Sequence, residues 1–391
     1  MDKDRIARVR EAMAEAELDA LVCRLPENVL LLSGYWPLSG WSFLLLPRDE
    51  TAVCVAPHCE EREAKEELWE ARCVTYRFGV LNAPNPYDAV AGLLDKAVRG
   101  EPYGRVGIEG TFENVAPPWN VAEPAIPAGF TRGLLESVFG CEALVDATDL
   151  LHGLRARKTP AEQDKLRRTN TIAQLGMEAF HDEVKPGVSG VELVAHVEHA
   201  VMTKGTVQAD ARRVRAFAQV ATGAAETSMG YRPMEIATTR KMAEGDLALL
   251  ELAVVADGFW CDRTRVAVAG TPADQQREVF EAVVRAQEAA IAAVRSGVRA
   301  GEVDEAARSV IREAGYDEGF FHVTGHGLGF RYHEPAPLIA PVSEEVLETG
   351  MCHTVEPGVY LPEIGGIRVE DNVVVTENGA EVLGPFRKEL C

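Results

Sequence analysis

Residues 320–337 read FFHVTGHGLGFRYHEPAP. Three imidazoles, His322, His326 and His333, fall among glycines at 325, 327 and 329. Glycine lets the backbone turn tightly and bring a ring into a crowded centre. Neutral imidazole is a common metal ligand. Alone, the stretch also suits a glycine-rich turn whose histidines satisfy local hydrogen bonds, so the flanking sequence has to decide.

Downstream, HTVEPGVY (353–360) and GGIRVEDN (365–372) place Glu356 and Glu370 fourteen residues apart, each in an apolar, strand-like setting. A carboxylate is costly to bury there unless it is paired or bound to a cation. Upstream, ELAVVADGFWCDRTR (251–265) carries Glu251 and Asp262 on two predicted strands that reverse at Asp257-Gly258. Such a hairpin brings its ends side by side, so both carboxylates can reach one cation. With His326, Glu356 and Glu370, Asp262 completes an oxygen-rich donor set with one nitrogen. That set suits Mn²⁺, Co²⁺ or Zn²⁺ and is unlike a Cys-rich structural zinc site.

In order, spacing and flanking residues, Glu251, Asp262, His326, Glu356 and Glu370 resemble the ligand pattern of the pita-bread metallopeptidases: prolidases, aminopeptidases P, methionine aminopeptidases and creatinases. The motifs G-H-G-L-G, H-E-P-A-P, V-E-P-G-V-Y and G-G-I-R-V-E-D carry the resemblance, which covers residues 155–391. The preceding residues look like the N-terminal α/β domain of the prolidase and aminopeptidase P branch. The resemblance implies a two-domain α/β protein, with a creatinase/prolidase-type domain over 1–154 and a pita-bread catalytic domain over 155–391. It further implies a homodimer that hydrolyses Xaa-Pro bonds as a dipeptidase or aminopeptidase, with two divalent ions (Mn, Co or Zn). By the same resemblance Asp262 and Glu370 bridge the ions, Glu251 completes one position, and His326 and Glu356 complete the other. Glu356 then takes the proton of the attacking water, and His333 hydrogen-bonds the substrate or its developing oxyanion. His322, Tyr231 and Arg368 fall on the substrate side, and Arg368 is placed either to orient the carboxylates or to form a surface salt bridge.

Two positions depart from the pattern. Glu251 stands where the family has Asp; one extra methylene adds about 1.5 Å of reach, so the carboxylate either ligates from a receding backbone or overshoots. In TGAAETSMGYRPMEIA (222–237), Gly230 precedes Tyr231 where the family has histidine, and no histidine occurs between His199 and His322. Loss of that imidazole weighs against a creatinase-like, metal-free reaction, which depends on it as the base. The competing reading is a non-catalytic or metal-poor relative whose cleft binds a peptide-like ligand or a partner.

The rest of the chain is consistent with an enzyme in solution. Its 391 residues are 47% hydrophobic and 26% charged, with a net charge of −21. That charge repels phosphate backbones and anionic lipid, which argues against nucleic-acid or membrane partners. No apolar run reaches the ~20 residues of a membrane span. The start, MDKDRIARVREAMAEAELDA, lacks a signal-peptide core, which predicts a cytoplasmic protein. Eight cysteines form no C-x-x-C pair and read as small buried or surface thiols. Periodicity predicts a helix from Asp4 to Glu17, then short strands at Ala20–Cys23, Val29–Leu32, Ser42–Leu46, Thr51–Ala56 and Arg105–Ile108. Thr159, Pro160 and Glu162 predict the start of a helix running to about Val184. Further helices are predicted at about Gly190–Lys204, Pro272–Ser296 and Val303–Ala314. Strands are predicted near Val214–Val220, Leu247–Val255 and Gly258–Val268.

Overall fold

The computed structural model describes residues 2–98, 103–110, 128–208, 210–230 and 237–390. The chain divides into two compact units, Met1–Arg155 and Ala156–Cys391.

Among the described residues of the first unit, six strands form one mixed sheet: β1 (Ala20–Cys23), β2 (Phe43–Pro47), β3 (Ala52–Pro57), β4 (Ala71–Tyr76), β5 (Val106–Ile108) and β6 (Leu144–Asp146). Their order is β4-β3-β2-β1-β5-β6, with β1 antiparallel to β2 and parallel to β5. One sequence expectation fails here. Val29–Leu32 is not a strand; it lies in a helix spanning Pro26–Ser33. Pro26 sits in the first turn, where a missing N–H costs nothing, and Gly34 closes the last turn at φ 80°. All four apolar residues are nonetheless buried, which is why burial pattern alone does not separate the two structures over so short a run.

The second unit contains the residues of interest. Its helix Pro160–Glu183 opens with a reciprocal cap: Glu162 N donates to Thr159 Oγ1 at 3.3 Å, and Thr159 N donates to Glu162 Oε2 at 2.9 Å. A helix over Gly190–Gln208 follows. Next come three antiparallel strands, β7 (Val214–Thr222), β8 (Leu247–Ala256) and β9 (Phe259–Val268), in the order β7-β8-β9. The β8–β9 turn is Asp257-Gly258, with φ of 50° and 87°. Two consecutive positive φ values make the tight type I′ reversal that matches strand twist.

The remaining strands are β10 (Gly325–Gly327), β11 (Glu334–Ile339), β12 (Cys352–Val355), β13 (Gly358–Leu361), β14 (Gly365–Arg368), β15 (Asp371–Val375) and β16 (Ala380–Val382). Among the described residues five of these form a sheet ordered β11-β10-β12-β15-β16, while β13 and β14 pair as a hairpin. The helices Asp274–Ala293 and Ala300–Glu313 bury Val279, Val283, Ala286, Val303, Ala307 and Ile311 in one core with Val355, Ile367 and Val373. Among the described residues no helix is long and apolar enough to cross a membrane.

Candidate metal centre and active site

The β8–β9 register pairs Glu251 with Thr264 and Ala253 with Asp262. Directly opposed residues share a face, and so do residues two apart on one strand. Glu251, Thr264 and Asp262 therefore project to the same side. Strand β15 is fastened to this face by the Asn372 carboxamide. Its Oδ1 accepts from Asp262 N at 3.2 Å and its Nδ2 donates to Asp262 O at 2.6 Å. One residue beyond Val369, Glu370 N donates to Thr264 O at 3.1 Å. Those bonds set Glu370 beside Asp262.

His326 arrives from the middle of β10, between strands β11 and β12. Its flanking glycines answer to packing rather than to a turn. A Cβ on Gly325 would lie 2.1 Å from Thr354 O, and one on Gly327 would lie 2.0 Å from Ala336 O. The neighbouring backbones can come this close only if both positions lack a side chain. Within the ring, Nδ1 lies 2.9 Å from Gly327 O, which can only accept. Nδ1 therefore donates to that carbonyl, and Nε2 faces Asp262 Oδ2 at 3.5 Å and Glu356 Oε1 at 3.4 Å. Glu356 follows β12, where its N–H donates to Thr324 O at 2.8 Å.

Two threonines that sequence reading passed over position the acidic groups. Thr264 Oγ1 donates to Glu370 Oε2 at 2.6 Å, and Thr354 Oγ1 donates to Glu356 Oε1 at 2.9 Å. Each lies two residues from a predicted ligand, Asp262 or Glu356, and that same-face spacing was a usable signal. The other oxygen of Glu370, Oε1, is buried without a hydrogen-bond partner.

Ligand atoms of His326, Glu356 and Glu370 lie within 4.8 Å of one another, and so do those of Asp262, His326 and His333. The His333 ring stands 4.2 Å from that of His326. Burial, then repulsion from Glu251 and Glu356, pushes the Asp262 carboxyl well above its usual range. Burial, then Asp262 and Glu356, does the same to Glu370, and burial raises Glu356. A divalent cation beside these oxygens would remove the repulsion and would supply the partner that Glu370 Oε1 lacks. The donor set fits such an ion. Burial and then His326 lower the His333 pKa to about 2, while burial and then Arg368 lower that of His322 to about 3. Both rings are thus neutral at physiological pH.

The other expected residues are distributed unevenly. Arg368 is 3% exposed, which replaces the surface salt bridge with a buried one. Its Nη2 donates to Glu251 Oε2 at 2.5 Å, Nε to Thr264 Oγ1 at 3.0 Å, and Nη1 to Tyr360 Oη at 2.8 Å and Gly230 O at 3.0 Å. Glu251 falls in neither cluster of converging ligand atoms among the described residues. Its Oε1 accepts from Tyr332 Oη at 2.5 Å, and the same hydroxyl stands 3.3 Å from Asp262 Oδ1. Tyr332 went unnoticed in the sequence, though it lies next to His333. His322 packs in an aromatic group, its ring 5.5 Å from Tyr360 and 6.4 Å from Phe321. Its Nδ1 lies 2.7 Å from Val323 O, and Nε2 is buried without a partner. Tyr231 lies outside the described residues. Gly230 has no positive φ, yet a Cβ there would meet Thr227 O at 2.9 Å, so the backbone is closed to a larger residue.

With this geometry in place, similarity to known proteins becomes specific. Residues 164–377 match metallopeptidase family M24, and residues 5–156 match the creatinase/prolidase N-terminal domain. The chain belongs to metallopeptidase family M24. It is 31% identical to the Xaa-Pro dipeptidase of Pyrococcus furiosus, over 99% of this chain and 99% of that one. The crystal structure of the prolidase from Pyrococcus horikoshii superposes with a TM-score of 0.80 at 28% identity, covering 100% of both chains. The Xaa-Pro dipeptidase from Bacillus anthracis gives 0.81 at 27% identity, over 99% of this chain and 98% of that one. This M24 chain thus has the two-domain architecture that the motifs implied, with a creatinase-like N-terminal domain and a pita-bread C-terminal domain.

Proposed function

We propose that this M24 metallopeptidase hydrolyses the peptide bond before proline in short Xaa-Pro substrates in the cytoplasm, with divalent metal held by Asp262, His326, Glu356 and Glu370. The observation that carries the reading is the approach of His326 Nε2 to two carboxylates within 3.5 Å while Glu370 Oε1 is buried and unpartnered. The names of the relatives supply the bond type. Manganese, cobalt and zinc all suit the donors. When bound, such an ion polarises the scissile carbonyl and makes water a stronger nucleophile.

The chain's own groups supply the rest. Glu356, raised above the usual carboxylate range by burial, takes the proton from attacking water and passes it to the leaving amine. Thr354 keeps the carboxylate turned for that transfer. His333, neutral and beside His326, donates a hydrogen bond to the developing oxyanion. Phe321, His322 and Tyr360 form an aromatic wall suited to a pyrrolidine ring.

Mn²⁺-loaded protein is expected to cleave Xaa-Pro dipeptides, and His326→Ala is expected to lose both bound metal and turnover. Product release from Xaa-Pro and Xaa-Pro-Yaa peptides, resolved by chromatography, measures this and separates dipeptidase from aminopeptidase. Metal-loaded wild type that cleaves neither leaves the peptide-binding alternative, which the capped carboxylate of Glu251 favours. We also propose a homodimer; light scattering at micromolar concentration should give twice the monomer mass, and the monomer mass alone overturns this.

A further inference from the structure

The resemblance implies two ions, and a second ion needs Glu251. Both oxygens of that carboxylate are engaged, Oε2 by Arg368 Nη2 at 2.5 Å and Oε1 by Tyr332 Oη at 2.5 Å. Tyr332 Oη also reaches Asp262 Oδ1 at 3.3 Å, the oxygen turned away from the His326 contact, which involves Oδ2. The Glu251 carboxylate thus ends on the guanidinium. Both clusters of converging donor atoms among the described residues include His326, and neither includes Glu251. A cation placed against Glu251 would sit beside the Arg368 guanidinium in a buried setting, where like charges repel strongly.

We propose that this chain holds a single divalent ion, at His326, Glu356, Glu370 and Asp262 Oδ2, and that the Glu251–Arg368 ion pair with the Tyr332 hydroxyl takes the place of a second. The residue that sets the stoichiometry is then Tyr332 together with the length of the Glu251 side chain. The proposal rests on the metallohydrolase reading above and refines it. It assigns Arg368 a positioning role: its charge compensates Glu251, whose Oε1 in turn holds the Tyr332 hydroxyl 3.3 Å from Asp262 Oδ1.

Metal stoichiometry tests it without reference to turnover. Apoprotein of the full chain, titrated with Mn²⁺ alone, is followed by calorimetry and by electron paramagnetic resonance. The first equivalent is expected to bind tightly. The second is expected to remain as free aquo-Mn²⁺ with its six-line signal. In Glu251→Asp/Tyr332→Phe, checked for an unchanged circular dichroism spectrum, the second equivalent is expected to bind and the six-line signal to fall by at least half. Two equivalents bound by wild type with affinities within tenfold overturn the single-ion assignment and leave the metallopeptidase reading intact. No equivalent bound overturns both. A folded double variant that stays at one equivalent overturns the role given to Glu251 and Tyr332.

Discussion

Arg368 is the residue on which the acidic face depends for charge balance. It is 3% exposed and its partner Glu251 7%, so neither is stabilised by solvent. Its guanidinium donates to a carboxylate, a threonine, a tyrosine and a backbone carbonyl. Removing one partner of a buried ion pair leaves the other uncompensated, typically at a cost of ~3–5 kcal/mol. Arg368→Met is therefore expected to lower unfolding free energy by that order in urea titrations of metal-free protein. Arg368→Met/Glu251→Gln is expected to regain at least half of the loss, because the carboxylate that Arg368 pairs with most closely is then uncharged. A double variant as unstable as the single one would show that the loss comes from packing and not from charge. Gly230 belongs to the same arrangement. Where the family pattern places an imidazole, this chain offers a carbonyl oxygen to Arg368, and the nearby Thr227 carbonyl leaves no space for a Cβ.

At the scale of elements, legibility followed sequence distance. The β8–β9 hairpin was readable because its turn is local: Asp257-Gly258 is a type I′ signal, and period two then puts Glu251 and Asp262 on one face. The helix at Pro160 was readable from a cap confined to four residues. The strand expected at Val29–Leu32 failed because a four-residue apolar run fits either a buried strand or one turn of a buried helix; Pro26 and Gly34 at its two ends were the better guides. The candidate ligand set was read through motif resemblance, since Asp262, His326, Glu356 and Glu370 come from four separate stretches. The non-local bonds were not. Nothing in the sequence ties Tyr332 to Glu251 across 81 residues, or Arg368 to it across 117. Those contacts arise only once β8, the β10–β11 connection that carries Tyr332 and the β13–β14 hairpin that carries Arg368 are all in place. For the same reason, the chain's departure from an aspartate at position 251 was visible at once, and its consequence only in three dimensions.

The C-terminal unit as a whole is tied together by one buried cluster that performs no chemistry. Asp371 Oδ1 accepts from Arg263 Nη2 at 2.7 Å and from Arg265 Nη2 at 2.6 Å, while Oδ2 accepts from Gln287 Nε2 at 3.0 Å. Arg263 goes on to Asn170 Oδ1 and to the carbonyls of Leu383 and Gly384; Arg265 reaches the carbonyls of Glu370, Phe386 and Arg387. Two helices, two strands and the C-terminal segment thus converge on one carboxylate. Burial pushes that carboxyl up, but Arg265 and Arg263 outweigh it and hold it well below the usual range. The sign of the pH effect follows. The folded chain keeps Asp371 ionised at pH values where the unfolded chain has taken up the proton, so its contribution is complete above the ordinary carboxyl pKa near ~4 and declines as pH falls toward the folded value. The carboxyls of the proposed metal site, Asp262 and Glu370, are displaced the other way in metal-free protein, so the total stability curve mixes opposite slopes. A difference between wild type and Asp371→Asn cancels them. That difference is expected to be ~3–5 kcal/mol at pH 7, where the variant leaves two buried guanidinium groups without their anion, and to shrink steadily below pH 4. Urea unfolding of both proteins at pH 7, 5 and 3, in chelator, measures it. A difference that stays constant across this range would mean that Asp371 acts through shape and hydrogen bonding alone, and that charge is not what holds the unit's elements to one another.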